Sequence, residues 1–239
     1  MATALVTGAT AGIGNAFARL LARQGFDLVL VARDEPRLHR VADELRATFG
    51  VAVEPIRADL SRYDECAWVE ERLADPQRPI DVLVNNAGYT VDQRFSTGDL
   101  LAEQAMFDVL TRAVMRLSHA AVRPMLARRS GVIINVSSVA GWIPQSTYGA
   151  AKSYVTAFSR ALRREVRRSG VKVCALCPGY TATEFHERAN FAMGRVPRFM
   201  VLDADAVVAQ AWRDAQRGRA LSIPGGIYRV ARFLLRFAY

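Results

Sequence analysis

The chain has 239 residues, 51% of them hydrophobic and 23% charged. That suffices for one large core, and the lack of a linker, internal repeat or low-complexity run excludes a disordered, fibrous or multi-domain chain. The formal charge is +9, yet residues 1–159 carry 17 basic and 17 acidic side chains and residues 160–239 carry 15 and 6, so the whole excess lies in the last third.

Residues 3–8 (TALVTG) form a continuous apolar run and predict a buried strand. Ile13, Phe17, Leu20 and Leu21 then recur at helical spacing and stop at Gly25. Residues 27–33 (DLVLVAR) predict the second strand. Leu38, Val41, Leu45 and Phe49 mark the second helix, closed by Gly50. Further strands are expected in VAVEPI, IDVLVNNAG, GVIINVSS, VKVCALCPG and ALSIPGG, with helices near 64–74, 99–129, 151–168 and 204–217. Continuous Val/Ile/Leu runs are what strands show when helices cover both faces of a parallel sheet. The alternation therefore predicts a single α/β domain over residues 1–239, a doubly wound parallel sheet with helices on both faces.

Several classes drop out. The N-terminus enters a strand directly, without a basic stretch and long apolar run, and no run of 18 apolar residues exists, so a cytoplasmic protein is expected. Three cysteines argue against a disulfide framework, and Cys174 and Cys177 lie in a strand-like run that turns them to opposite sides. His39, His119 and His186 have no partner at ligand spacing, so no metal is expected. The basic excess lacks interleaved aromatics or a recognisable module, so no nucleic-acid partner is expected.

Residues 7–14 (TGATAGIG) lie between the first strand and first helix. Gly8, Gly12 and Gly14 let the backbone turn sharply and approach a pyrophosphate, while the helix N-terminus offers free amides and a favourable dipole. The spacing G-x-x-x-G-x-G differs from the G-x-G-x-x-G fingerprint. A second local signal is YGAAK. The chain has 30 arginines and two lysines, and one of these, Lys152, stands four residues after Tyr148. On a helix the two share a face. A cation about 4 Å away at an effective dielectric of about 20 favours phenolate by about 4 kcal/mol, about three pKa units, which would bring the phenol near working pH.

Taken together, TGATAGIG, NNAG (residues 85–88), YGAAK and PGYTAT (residues 178–183) resemble, in order, the motifs of the short-chain dehydrogenases/reductases, and the resemblance covers nearly the whole chain. It implies a Rossmann-type fold, an NAD(P) cofactor and a carbonyl or alcohol substrate. Thr10, Ala11 and Ile13 would join the three glycines at the cofactor. Asp59 and Leu60 would flank its adenine, Asn86, Ala87 and Gly88 the adenosine ribose, and Pro178, Gly179, Thr181 and Thr183 the nicotinamide. Lys152 would also bond the nicotinamide ribose, a dual task that a planar guanidinium fits poorly. Ser138, rather than neighbouring Ser137, would polarise the carbonyl.

Three residues bear on cofactor choice. The second strand ends in Arg33, where an acid suits a ribose hydroxyl and an arginine a 2′-phosphate, so NADP(H) is favoured over NAD(H). Asp34 could still turn towards the ribose, and Arg37 could assist from the following helix.

The chain also departs from the family pattern. Ser138 stands ten residues before Tyr148 instead of the usual twelve or thirteen, which should bring Trp142, Ile143 and Gln145 to the pocket wall. Leu110 occupies the position of an asparagine that holds a relay water, leaving Asp108 or Thr111 as displaced substitutes. That departure keeps a second reading open, a nucleotide-sensing or interaction protein of the same fold.

A substrate lid is expected over residues 184–200, where Phe185, Phe191, Met193, Phe199 and Met200 suggest an apolar ligand. Residues 227–239 form an amphipathic segment. At 100° per residue Arg229, Arg232 and Arg236 fall within about 60°, with Ile227, Val230, Ala231, Leu234, Leu235, Phe237 and Ala238 opposite. Packing on the domain's own substrate entrance, packing in a homodimer or homotetramer interface, and peripheral contact with an anionic membrane all fit.

Overall fold

The computed structural model describes residues 1–143, 145–185 and 196–235. Phe191, Met193, His186, Arg236, Phe237 and Ala238 lie outside the described residues, as does much of the expected lid.

Seven parallel strands form one sheet in the order β3-β2-β1-β4-β5-β6-β7. They are β1 (Thr3–Thr7), β2 (Asp27–Ala32), β3 (Val53–Arg57), β4 (Val82–Asn85), β5 (Gly131–Val136), β6 (Val171–Leu176) and β7 (Leu221–Ser222). The helices are α1 (Gly12–Arg23), α2 (Glu35–Phe49), α3 (Tyr63–Ala74), α4 (Leu100–Phe107), α5 (Ala113–Arg128), α6 (Thr147–Val166), α7 (Ala204–Gln216) and α8 (Gly226–Leu235). This is the doubly wound single-domain fold expected from the pattern.

Each strand alternates its side chains between two cores. On one side Ala4, Val6, Leu28 and Leu30 meet Phe17 and Leu21 of α1, Leu38 and Leu45 of α2 and Trp212 of α7. On the other, Leu5, Val29 and Leu83 meet Val69 of α3, Leu117 and Met125 of α5 and Val166 of α6. Cys174 belongs to the first core, while Cys177 faces Thr156 of α6. All three cysteines are free and buried.

Two local differences from the sequence expectation matter. Helix α6 begins at Thr147, earlier than the periodicity suggested, because Ser146 caps it by accepting from the Gly149 amide at 3.1 Å. Tyr148 therefore sits in the first turn. The long helix expected near 99–129 contains a π-helical turn at Asp108–Arg112, which separates α4 from α5 and carries Leu110.

The strand order reverses direction between β1 and β4. Ligands of such sheets bind in the crevice outside the carboxyl ends at this switch point. The turns after β1, β4, β5 and β6 all open there.

Candidate active site

The glycine turn follows β1 and is locked before α1 begins. Gly8 has φ +65° and donates to the Val31 carbonyl at 2.8 Å. A side chain on Gly14 would lie 2.2 Å from the Gly8 carbonyl oxygen, so only hydrogen fits there. The β4 end ties to the same turn. Thr7 Oγ1 accepts from the amides of Asn86 and Ala87 at 2.9 and 3.0 Å, and Asn86 Nδ2 donates to the Thr7 and Gly8 carbonyls. The side chain of Asn86 is thus spent on bracing the turn.

Helices α2, α4, α6 and α7 are capped by Asp34, Asp99, Ser146 and Asp203. Helix α1 begins at an extended Ala11 with no side-chain cap and no acid in its first turn. Its opening amides and dipole are left for an anion, and the residues present fit a pyrophosphate. Thr10, Ala11, Gly12 and Ile13 line this turn, and Thr183 closes on Gly12 from the β6 side, 3.0 Å from where a side chain would begin.

At the end of β2, Arg33 is exposed, with its guanidinium 5.4 Å from the Tyr89 ring centre. Asp34 does not reach for a ribose here. Its carboxylate caps α2 by accepting from the Arg37 amide at 3.0 Å. Asp59 is occupied too, accepting from the Ser61 amide and hydroxyl at 3.0 and 2.8 Å, and Leu60 is buried beside it.

Across the crevice, Ser138, Tyr148 and Lys152 come together. Ser138 Oγ accepts from the Ala140 amide at 3.1 Å, and its hydroxyl is near enough to the Tyr148 phenol to favour the ionised form. Ser137 points elsewhere: it is buried, donates to the Lys152 carbonyl at 2.6 Å and meets Thr156 at 2.7 Å. The order of the two serines along the strand end decides which faces the crevice. Lys152 is 4% exposed, donates from Nζ to the Val136 carbonyl at 2.7 Å and lies 5.7 Å from the Tyr148 ring centre.

The electrostatics correct one expectation. Burial pushes the Tyr148 phenol well above its ordinary range, and the Ser138 hydroxyl only partly opposes this. Burial also lowers Lys152 to about 8, so its charge is itself under pressure. Desolvation outweighs the depression that a neighbouring cation was expected to cause.

The cause of that burial is visible. Leu110 is 0% exposed and packs with Met106 and Ala151 against Tyr89, Val91 and Tyr148. Phe185 lies 5.8 Å from the Tyr148 ring. Neither polar neighbour of Leu110 replaces the asparagine. Asp108 pairs with Arg112 at 3.5 Å, and Thr111 donates to the Phe107 carbonyl at 2.7 Å.

Gly179 carries a packing role: a side chain there would begin 1.9 Å from the Tyr228 ring. Tyr228 accepts from the Tyr180 amide at 3.1 Å and donates to the Met200 carbonyl at 2.7 Å, fastening α8 to the strand end. Pro178 accepts from the Val139 amide at 3.1 Å, and Thr181 is buried and bridges Leu202. The Trp142 indole N–H is buried without a hydrogen-bond partner among the described residues, with Arg232 5.2 Å from its ring centre. Ile143 and Gln145 are exposed.

Some positioning residues escaped the sequence reading. Asn85 Nδ2 donates to Asn135 Oδ1 at 2.9 Å and Ser118 Oγ at 3.1 Å, and Asn135 Nδ2 donates to Ser159 Oγ at 2.9 Å. This buried network pins α5 and α6 to the strands under the site. Its one signal was an asparagine inside an apolar run. Glu103 is likewise buried and accepts from the Thr147 hydroxyl at 2.7 Å, bracing the residue next to Tyr148.

The switch-point fold and this cluster define a class, and the comparisons agree with it. The family profile described as short chain dehydrogenase matches residues 2–193. The chain belongs to this family of oxidoreductases. It is 36% identical over 183 residues to an uncharacterized oxidoreductase of Staphylococcus saprophyticus, covering 75% of this chain and 78% of that protein. It is 37% identical over 191 residues to a 3-oxoacyl-(acyl-carrier-protein) reductase of Synechocystis, covering 78% and 77%. A short-chain dehydrogenase from Sphingobium yanoikuyae, solved in complex with NADPH, superposes with a TM-score of 0.92 at 36% identity, covering 100% of this chain and 93% of that one. For the bulky-bulky ketone specific alcohol dehydrogenase from Comamonas testosteroni the values are 0.87, 30%, 100% and 92%.

Proposed function

We propose that this protein is an NADP(H)-dependent oxidoreductase that interconverts a bulky, apolar ketone and its alcohol. The carrying observation is the gathering of Ser138, Tyr148 and Lys152, with Lys152 Nζ 5.7 Å from the Tyr148 ring centre, in a crevice that also holds the uncapped α1 N-terminus. A bound nicotinamide would supply or accept the hydride. Ser138 orients and polarises the carbonyl oxygen, and Tyr148 hands that oxygen its proton. The raised phenol keeps the proton through neutral pH, which suits the reducing direction. Lys152 holds a positive charge behind the phenol and is placed to bond the nicotinamide ribose. NADPH in the Sphingobium structure and the exposed Arg33 support NADP(H). The ketone class rests on the Comamonas relative and on Phe185 and Leu110 around the tyrosine.

The test is consumption of NADPH with a panel of bulky ketones, with Tyr148→Phe alongside. The wild type should turn over, and the variant should lose about 10²–10⁴-fold in kcat while binding NADPH as before. Wild-type protein that binds NADPH and consumes none with any ketone would instead favour the nucleotide-sensing reading, which Leu110 motivates.

Partners follow from what the fold leaves exposed. Helix α8 turns Tyr228 and Ala231 inward and sets Arg232 on Trp142, but leaves Ile227, Val230, Phe233 and Leu234 outward at 39–61% exposure. The helix rests on its own domain through Tyr228 and Arg232, and Ile227, Val230 and Leu234 stay exposed among the described residues. No acidic residue follows Asp214 in the sequence, and Arg229 and Arg198 are exposed near this face. The arginines beside this face, with no acid after Asp214 to balance them, favour an anionic membrane surface as its occupant. Homodimer or homotetramer formation would then use other surface, such as Phe107, Met115 and Tyr154 on the α4–α6 side. Among the described residues no helix is long and apolar enough to cross a membrane, and three buried free thiols suit a reducing, cytoplasmic compartment.

A further inference from the structure

Residues 183–185 cross the crevice and touch three of its parts in succession. Thr183 presses on Gly12 in the pyrophosphate turn. Phe185 lies on Tyr148 at the reaction centre. Between them Glu184 reaches to the opposite end and pairs with Arg37 in the first turn of α2: Nη1 donates to Oε2 at 2.8 Å and Nη2 donates to Oε1. The partners lie 147 residues apart, and both are partly open to solvent, at 27% and 41% side-chain exposure.

Arg37 stands four residues after Arg33, at the end of the crevice where a ribose 2′-phosphate would lie. A guanidinium fork matches a phosphate as well as a carboxylate. In this structure the carboxylate of Glu184 holds both outer nitrogens, and Arg33 faces the Tyr89 ring. Asp34 acts on Arg37 only as a nearby charge, because its side chain caps the helix by accepting from a backbone amide.

We infer that Glu184 sets cofactor discrimination as an internal counter-ligand, occupying Arg37 until a 2′-phosphate displaces it. Resting on the NADP(H) reading, this adds a residue that opposes the phosphate rather than one that binds it. NADPH must exchange one anion for another at Arg37, whereas NADH leaves the pair intact. The exchange also frees the outer end of the strap that carries Phe185, so cofactor identity is passed along two residues to the face of Tyr148.

The experiment is fluorescence titration of NADPH and NADH into wild type, Glu184→Gln, Arg37→Ala and the double variant at fixed ionic strength. Glutamine keeps the shape and removes the charge. Glu184→Gln should tighten NADPH about two- to fivefold, the range a partly exposed pair is worth, and leave NADH within twofold. Arg37→Ala should weaken NADPH, and adding Glu184→Gln to it should change nothing more, because the two act through one contact. Unchanged NADPH affinity in Glu184→Gln overturns the inference, as does equal weakening for both cofactors, which would make the pair a clasp over the whole dinucleotide. Arg33→Ala separates the two failures. Selective NADPH loss there with no effect at Glu184 keeps the cofactor reading and removes only this one. Protein that binds neither cofactor removes the reading itself. For the strap, KM for a bulky ketone should be higher with saturating NADH than with NADPH, and the gap should close in Glu184→Gln. A KM indifferent to the cofactor overturns that coupling.

Discussion

The two sides of the crevice are built from different material. The cofactor side is mostly backbone, with Gly8 donating to Val31, Thr7 and Asn86 tying two strand ends together, and the open amides of α1. The substrate side is side chains on long connections, with Phe185 on Tyr148, Leu110 in a π-helical turn, and α8 fastened by Tyr228 and by Arg232 on Trp142. A ligand that never changes can be met by main chain that tolerates no alteration. A ligand that differs among relatives is better met by side chains on connections that do tolerate it.

Glycine substitutions test this contrast most severely. A side chain on Gly14 would meet rigid backbone at 2.2 Å, whereas one on Gly226, at the start of α8, meets nothing nearer than Arg229 at 4.0 Å. Gly14→Ala should cost about 1–3 kcal/mol of stability, the usual range for overpacking, and abolish dinucleotide binding. Gly226→Ala should stay within about 0.5 kcal/mol. Thermal melts with and without NADPH measure both, and comparable losses would break the contrast.

Cofactor choice should be carried by side chains even on the backbone-built side. Arg33→Ala should weaken NADPH at least about tenfold, since hydrogen bonds to charged groups contribute about 1.5–3 kcal/mol, and leave NADH nearly untouched. Equal losses in titration would place Arg33 outside the phosphate site.

Lys152 joins the two sides, and its pH dependence has a definite sign. Burial lowers it from its ordinary 10.5 to about 8. The ammonium is therefore held below about pH 8, and kcat/KM for reduction should fall as pH rises through that value. A rate that climbs there would make the neutral amine the working form. For stability, the unfolded chain holds more protons between about pH 8 and 10.5, so this group makes stability rise with pH across that window and costs most below it. Lys152→Met should then melt higher than wild type at pH 7 while losing activity, and its advantage should shrink towards pH 10.5.

The smallest effect is expected at the outer face of α8. Val230→Ser should change neither folding nor turnover of a soluble ketone by more than about twofold, because the residue is 59% exposed. It should still reduce sedimentation with vesicles of phosphatidylserine and phosphatidylcholine at low salt. Wild-type protein that stays in the supernatant removes the membrane reading. A wild-type dimer in light scattering that becomes monomeric in the variant would assign the face to a second copy.

What the sequence determined by itself is whatever depends on near neighbours. Val/Ile/Leu runs and i, i+4 spacings reported the strands and helices, and TGATAGIG and YGAAK each lie within one turn of chain, so their residues meet whatever surrounds them. Tertiary structure decided what depends on burial and distant pairing. The phenol of Tyr148 is raised because Leu110 and Phe185 bury it, and no count along α6 contains that. Asp34 was open to two uses until helix α2 began at Glu35 and took it as a cap. The spacing of α8 related its arginines to its apolar residues, but a helical wheel has no absolute orientation, and only the Tyr228 bonds to Tyr180 and Met200 determined which face turned out. Glu184 and Arg37 are far apart in sequence and adjacent in space, because the connection after β6 crosses the crevice to the first turn of α2.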